Sequence, residues 1–145
     1  MYGRVDRFCC TFAASVANSF ILNDVIRTKW KREDALVTSD CGAIQNVQGA
    51  PANAPSPEAA AAWALMNGTD LEMGSTLWQD HLISAIGSGL ATEAAVTRAA
   101  SRAMRQHFLA GRFDPRASVG WSDLGAEAIV SVRCGACFVS VLCHV

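Results

Sequence analysis

An α/β fold, helix-rich and built on parallel strands, is predicted by three features of this chain. Two short strand-like runs, Ala35-Leu36-Val37-Thr38 and Thr69-Asp70-Leu71-Glu72-Met73-Gly74, each lead into or contain an acid. The 30 positions that separate Asp40 from Asp70 match one βαβ unit and hold a capped helical stretch. Two more helical stretches follow, so the order is strand, helix, strand, helix, helix, an alternation that belongs to α/β folds.

At the N-terminus, MYGRVDRFCCTFAASVAN admits two readings. Arg4 and Arg7 ahead of the apolar stretch Phe8 to Ala14, with Ser15-Val16-Ala17 as a cleavage site, resemble a short signal peptide. That stretch contains Thr11 and has only the minimum length, which favours a buried strand. Asn18 or Ser19 can cap a first helix, whose Ile21, Leu22, Val25, Ile26 and Trp30 share one face, opposite Asn23, Asp24, Arg27 and Lys31. Polar Lys31 to Asp34 turn the chain into the strand Ala35 to Thr38, buried by composition, which puts Asp40 at a strand's C-terminal end.

Gln45 to Pro55, rich in Asn, Gln, Gly and Pro, reads as a loop. Ser56-Pro57-Glu58 then supplies an N-cap, a proline at the first helical position and an acid in the first turn; AAAAWALMN follows, and Gly68 closes the helix. After the second strand come helices over Leu77 to Ile86 and Thr92 to Leu109, the latter ended by Gly111 and Phe113-Asp114-Pro115.

Composition narrows the functional classes. The chain has 12 Lys and Arg against 13 Asp and Glu, a formal charge of -1 that points to no nucleic acid and no anionic membrane surface. With 51% hydrophobic and 17% charged residues, its 145 residues suit one globular domain rather than a disordered segment. No apolar run approaches the ~18 residues of a spanning helix. The six cysteines, Cys9, Cys10, Cys41, Cys134, Cys137 and Cys143, cluster in a way that makes a poor disulfide framework. In the tail SVRCGACFVSVLCHV, Cys134 and Cys137 form a C-x-x-C pair near Cys143 and His144, but the spacing is too short for a zinc pattern. No metal and no cofactor are expected.

Ligands of α/β folds gather at the carboxyl ends of the strands, which makes Asp40 the first candidate for chemistry. Taken alone, it reads either as an acid capping the next turn or as a reactive carboxylate. Asp70 and Glu72, two apart on one strand, point to the same face. A crossover of this length returns the chain beside its starting strand, so the two acidic strand ends are expected on adjacent parallel strands at one rim. Trp63 and Trp78 lie in helical stretches, where packing is the usual reason for Trp. His81 and His107 have no complementary ligand spacing, and core or surface roles are expected.

The stretches ANSFILNDVIRTKW, VTSDCGAI, AAAAWALMNGTDLEMG, AIGSGLATEAAVTRAASRAMRQHFLAGRFDP and WSDLGAEAIVS occur in the order of corresponding parts of glycoside hydrolase family 3, which residues 10 to 130 resemble. They are similar, in turn, to the helix before the family's nucleophile strand, the nucleophile motif (a hydroxyl residue, Asp, then Trp or Cys), the next helix with the final barrel strand, the helical exit of the first domain, and the start of the linker beyond it.

The resemblance implies a partial (β/α)8 TIM-barrel domain over residues 1–131, made of the last few β/α units and the C-terminal helices, with 132–145 as an unrelated tail. It also implies retaining hydrolysis of β-linked xylosides or glucosides with Asp40 as nucleophile. A carboxylate attacks the anomeric carbon as the sugar gains oxocarbenium character, and a second carboxyl group, about 5 to 5.5 Å away, protonates the leaving oxygen. Glu72 and Asp70 become candidates for substrate binding; Glu72 suits sugar contact better, and Asp70 suits fixing the loop after its strand. The implied partner is a short β-linked glycan, with no nucleic acid and no membrane span. Family members are commonly secreted, whereas the N-terminus here carries no convincing signal peptide.

Cys41 and Gly68-Thr69-Asp70-Leu71-Glu72 resemble the family's β-xylosidase and arabinofuranosidase branch more than its Trp-containing β-glucosidases. In that branch a second cysteine commonly stands where this chain has Met73, which implies that Cys41 has lost a partner. The family's upstream Lys-His pair, its sugar-holding Arg and Asp, and the acid/base carboxylate of its second domain are not expected within these 145 residues. CCTFAASVAN resembles a compressed Cys-Ser-Tyr-Asn strand with Phe12 at the Tyr position, and Lys31 to Asp34 stand where a Gly-Phe-Asp-Gly turn is usual. A closed barrel needs ~200 residues or more, so exposed strand edges are expected. Two classes of function are open: a β-xylosidase or β-glucosidase, and a noncatalytic remnant or interaction module that inherits the fold elements alone.

Overall fold

In the computed structural model of the chain, residues 14–125 are described, and they divide between two compact units at His107 and Phe108. The N-terminal strand or signal sequence, Cys9 and Cys10, the boundary at 131/132 and the tail cysteines with His144 lie outside the described residues.

The first unit opens with a short 3-10 turn, Ser15–Ala17, and a π-helix, Phe20–Lys29. Trp30 N–H reaches back five residues to the Val25 carbonyl at 2.9 Å, the spacing that defines this wider helix. Positions five apart therefore share a face, and the two buried residues of the helix, Leu22 and Arg27, are five apart. This corrects the expected amphipathic pattern. A 3.6-residue period puts Arg27 on the polar face and Ile21 and Trp30 on the apolar one, whereas Arg27 is 6% exposed and Trp30 63%.

Strand β1 runs over Thr38–Cys41 and strand β2 over Leu71–Met73, paired in parallel as the crossover length requires. The β1 pairing starts later than the apolar run suggested, since Ala35 to Val37 lie ahead of it half-buried. Even so, the Val37 carbonyl accepts N–H bonds from both Asp70 (2.8 Å) and Leu71 (3.2 Å), which ties that run to the start of β2. The loop after β1 contains a 3-10 turn, Gln45–Gln48, in which Val47 is fully buried, as is Ile44 just before it.

Between the strands, helix α1 covers Pro57–Asn67 with the caps its sequence predicts. Ser56 Oγ accepts the Ala59 N–H at 3.2 Å, and Gly68, at φ +119°, ends the helix while its N–H bonds back to the last turn. The alanine run is the reason α1 can sit inside. Ala60, Ala61, Ala62 and Ala64 have no exposed surface, and a helix that is apolar all round belongs in an interior. One side of α1 packs with Val16, Ala17, Ile44, Val47 and Leu77; the other side packs with Ala85, Ala91, Ala95 and Ala99.

Of the last four, Ala85 belongs to α2 (Leu77–Gly87), Ala95 and Ala99 to α3 (Glu93–Leu109), and Ala91 to the turn between them. Trp78 and Leu82 of α2 touch both clusters, and Trp78 Nε1 donates to the Ala61 carbonyl at 3.2 Å, so the packing expected for Trp78 is what is found. Trp63, half-buried, packs against the first cluster. His81 Nδ1 lies 2.8 Å from Glu58 Oε1, joining α2 to the first turn of α1. The Glu58 carboxyl is held below its usual range, first by its own amide at the helix N-terminus, then by the Ser56 hydroxyl and His81. Thr92 caps α3 through its Oγ1, which accepts the Ala95 N–H at 3.2 Å.

The second unit, over its described residues, is a series of turns. Phe108 and Phe113 rings stand 4.8 Å apart, Trp121 Nε1 donates to the Ala110 carbonyl, and Arg116 pairs with Asp123 at the surface.

Gly68 combines a positive φ with close neighbours: a Cβ there would lie 2.5 Å from Arg27 Nη1 and 2.9 Å from Asn23 Oδ1. Gly68→Ala is therefore expected to destabilise the first unit by about 2 kcal/mol or more, from the left-handed backbone and the displaced guanidinium together. A urea midpoint that falls with an unchanged slope would record this.

Candidate active site at the strand tips

The strand pairing sets where each acid goes. Thr38 stands beside Leu71, and Cys41 beside Met73, with one extra residue on β1 between those points. Asp40 and Glu72 therefore share the C-terminal rim. Asp70 does not: it precedes β2, level with Val37, which corrects the expectation that Asp40 and Asp70 occupy the same rim. The 30-residue spacing describes the unit but not the register, and the slip in pairing brings Glu72 to the rim instead.

The two aspartates differ sharply in surroundings. Asp40 is exposed at the next-to-last position of β1, and its carbonyl accepts the Ala43 N–H at 3.3 Å as the chain turns away. The Asp70 side chain is 1% exposed. Its Oδ2 accepts from Arg27 Nη2 at 2.7 Å and from the Val37 N–H at 3.0 Å, and its Oδ1 accepts from Arg102 Nη1 at 2.8 Å. Both oxygens are thus committed.

Arg27 extends this cluster. Its Nη2 also donates to the Gly68 carbonyl (2.8 Å), its Nη1 donates to Asn23 Oδ1 (2.7 Å), and Nε is the one buried side-chain polar atom without a partner among the described residues. Burial lowers the Arg27 pKa from its ordinary value, with Arg102 adding to the shift, while the Asp70 carboxylate opposes it. Arg102 Nε reaches the Glu33 carbonyl at 2.9 Å. The π-helix, the start of β1, the start of β2 and α3 therefore all meet at Asp70.

Glu72 is half-buried, and its carboxylate accepts from the Ser75 hydroxyl and from the Trp78 N–H, the latter at 2.7 Å. It caps the first turn of α2. Met73 is exposed beside Cys41, which is a free thiol. Gly74 follows at φ +69°, where a Cβ would lie 2.7 Å from the Cys41 Cβ, so only glycine allows the two strands to approach so closely at the rim. Among the described residues no group of three or more His, Cys, Asp or Glu is placed to hold a metal, and no helix is long and apolar enough to cross a membrane. His107 is half-buried on α3.

Sequence reasoning missed Arg27 and Arg102 as the partners of Asp70. The available signal was the acid itself, since a carboxylate at the start of a parallel strand is buried and requires a cation.

No family model matches the chain. Curated relatives do match. The chain is 33% identical over 147 residues to a probable exo-1,4-beta-xylosidase, bxlB, of Aspergillus fumigatus, covering 91% of the chain and 19% of that relative. It is 35% identical over 133 residues to the protein of the same name from Aspergillus terreus, covering 83% and 17%. Among solved structures, a GH3 exo-beta-xylosidase (XlnD) in complex with a xylobiose aziridine activity-based probe superimposes with a TM-score of 0.69 at 31% identity, over 75% of this chain and 14% of that one. The chain belongs to glycoside hydrolase family 3. A family 3 assignment also accommodates the β-glucosidase from Listeria innocua in complex with isofagomine, which matches with a TM-score of 0.69 at 25% identity over 81% of this chain and 16% of that one. The chain spans less than a fifth of the length of these relatives.

Two measurements follow from the site's geometry. Asp70→Ala leaves two guanidinium groups facing each other across a buried space, and a loss of about 3 to 5 kcal/mol is expected, the scale of breaking a buried pair from one side. Thermal unfolding of the variant beside Arg102→Ala, whose partner keeps a second cation, should show the larger fall for Asp70. Met73→Cys, in register with Cys41, should oxidise to a disulfide that closes a loop of about 30 residues and adds up to roughly 3 to 4 kcal/mol by chain entropy. Mass spectrometry with and without reductant reports the bond.

Proposed function

We propose that this chain supplies the nucleophile strand of a family 3 glycosidase and that Asp40 is the nucleophile in retaining hydrolysis of short β-linked xylosides or glucosides. The observation that carries the reading is the exposure of Asp40 at the C-terminal tip of a parallel strand, within a segment that aligns with proteins named exo-1,4-beta-xylosidases. On this reading the described strands and helices correspond to the last few β/α units of a (β/α)8 barrel and the helices that leave it. Active sites of such barrels form where β1 ends.

An exposed carboxylate on a fixed strand can attack an anomeric carbon and be displaced later by water, which preserves the configuration of the sugar. The leaving oxygen also needs a proton. Glu72, the acid beside Asp40 on the rim, has both oxygens engaged by Ser75 and Trp78, so we assign it to holding α2 against the rim, and we assign Asp70 to holding the base of the strands. Each shapes the substrate-binding surface without using a free oxygen on the sugar. On this reading the proton donor is neither of these two acids.

Replacing the matching segment of an intact family 3 β-xylosidase by residues 18–115 tests the assignment. The chimera should retain measurable turnover of an aryl β-xyloside, and an electrophilic xyloside aziridine should label Asp40, as located by peptide mass spectrometry. Asp40→Ala should lower kcat by on the order of 10⁴-fold or more, the scale on which a nucleophile acting with partners is lost. On this reading neither Asp70 nor Glu72 gives the isolated chain general acid assistance, commonly worth about 10²–10⁴-fold, and no turnover is expected of it. A chimera that is folded and active with Asp40 replaced would assign the chemistry elsewhere.

A further inference from the structure

The pairing of β1 with β2 slips immediately before the rim. Three steps along β1, from Thr38 to Cys41, match two along β2, from Leu71 to Met73, so Ser39 and Asp40 together face Glu72. An extra residue of this kind bends the strand that holds it and changes the direction of the side chains around it. The slip is bounded on both sides. Before it, the Val37 carbonyl binds the Asp70 and Leu71 amides; after it, Gly42 N–H donates to the Met73 carbonyl at 3.3 Å.

Across the slip runs a side-chain bond. Ser39 is 3% exposed, the one buried residue of β1, and its Oγ accepts the Met73 N–H at 2.9 Å. The neighbouring residue on one side is Asp40, whose carbonyl is already taken up in the turn to Ala43. A hydroxyl at position 39 thus fastens the bulged residue to β2 next to the point where Asp40 leaves the strand.

We propose that Ser39 is a positioning residue for Asp40: its hydroxyl, through the Met73 amide, fixes the bulge that directs the Asp40 carboxylate outward at the rim. The proposal rests on the reading of Asp40 as nucleophile for its consequence, and on the strand geometry for its content. A serine or threonine can serve at this position because both present a hydroxyl oxygen one bond beyond Cβ; alanine cannot.

The test uses the full chain, isotopically labelled, in solution. In the wild type, the Met73 amide proton should show nuclear Overhauser contacts to the Ser39 β-protons, and the Asp40 side chain should show couplings of a single χ1 rotamer. Ser39→Ala should speed exchange of the Met73 amide by about three- to tenfold, the effect of one lost hydrogen bond, and average the Asp40 couplings, with exchange at Ala64 and Leu65 unchanged. Ser39→Thr should restore both. The proposal is overturned if the wild-type contacts are absent, if Ser39→Ala leaves Met73 and Asp40 as they were, or if Ser39→Thr behaves like Ser39→Ala. Should the variant lose its fold, the wild-type contacts and couplings still decide. If these outcomes hold while the aziridine fails to label Asp40 in the chimera, the placement of Asp40 by Ser39 stands and its assignment as nucleophile falls.

Discussion

A carboxylate removed from water at the base of two strands governs much of the first unit. Asp70 is a carboxylate at 1% exposure, and burying such a group is costly unless cations and N–H groups take the place of its hydration. Arg27 from the π-helix, Arg102 from α3 and the Val37 amide do so. Each comes from a different part of the chain, so satisfying one residue fixes the relative placement of three elements and the depth at which β2 begins. The wide π-turn belongs to the same arrangement, because it brings Arg27 inward, five residues after Leu22.

This constraint also explains what was legible in the sequence and what was not. Helix α1 was readable from end to end, because Ser56, Pro57, Glu58 and Gly68 determine a helix's ends through local backbone geometry and hydrogen bonds. Its interior position was not read, although its alanines leave it small and apolar all round. The first helix was readable as a helix but not in its facing, since a 3.6-residue period assumes the α form and assigns Arg to water. Only a buried anion more than 40 residues later reverses that assignment, and no local pattern carries this information.

The strands show the same division. Their parallel pairing followed from the length of the crossover, a chain-connectivity argument that holds whatever the side chains do. Their register did not, because two short strands of four and three residues contain too few apolar positions to specify it. Register here comes from the Val37 carbonyl, which takes two amides, and from Ser39, whose hydroxyl spans the slip. Asp40 as the candidate for chemistry was legible from its place after an apolar run. Glu72 was legible as a candidate for sugar contact, but the withdrawal of Asp70 from the rim was not, because register decides which acid of that strand stands beside Asp40.

Two aspartates, one near the tip of β1 and one just ahead of β2, thus have different capacities, and access separates them more surely than residue type. Asp70 is surrounded by donors that no ligand could displace without exposing buried guanidinium groups, so its charge is spent within the protein. Asp40 stands where the strand ends and the chain turns away, and its carboxylate is open to an incoming molecule. The first acid makes the position of the second reproducible. On the proposed reading of Asp40 as nucleophile, its carboxylate must be held within a few tenths of an ångström of a productive position, and a two-stranded parallel pair has few hydrogen bonds with which to hold it. Ionic anchoring at the base and a hydroxyl bond at the slip supply the stiffness that so short a ladder lacks.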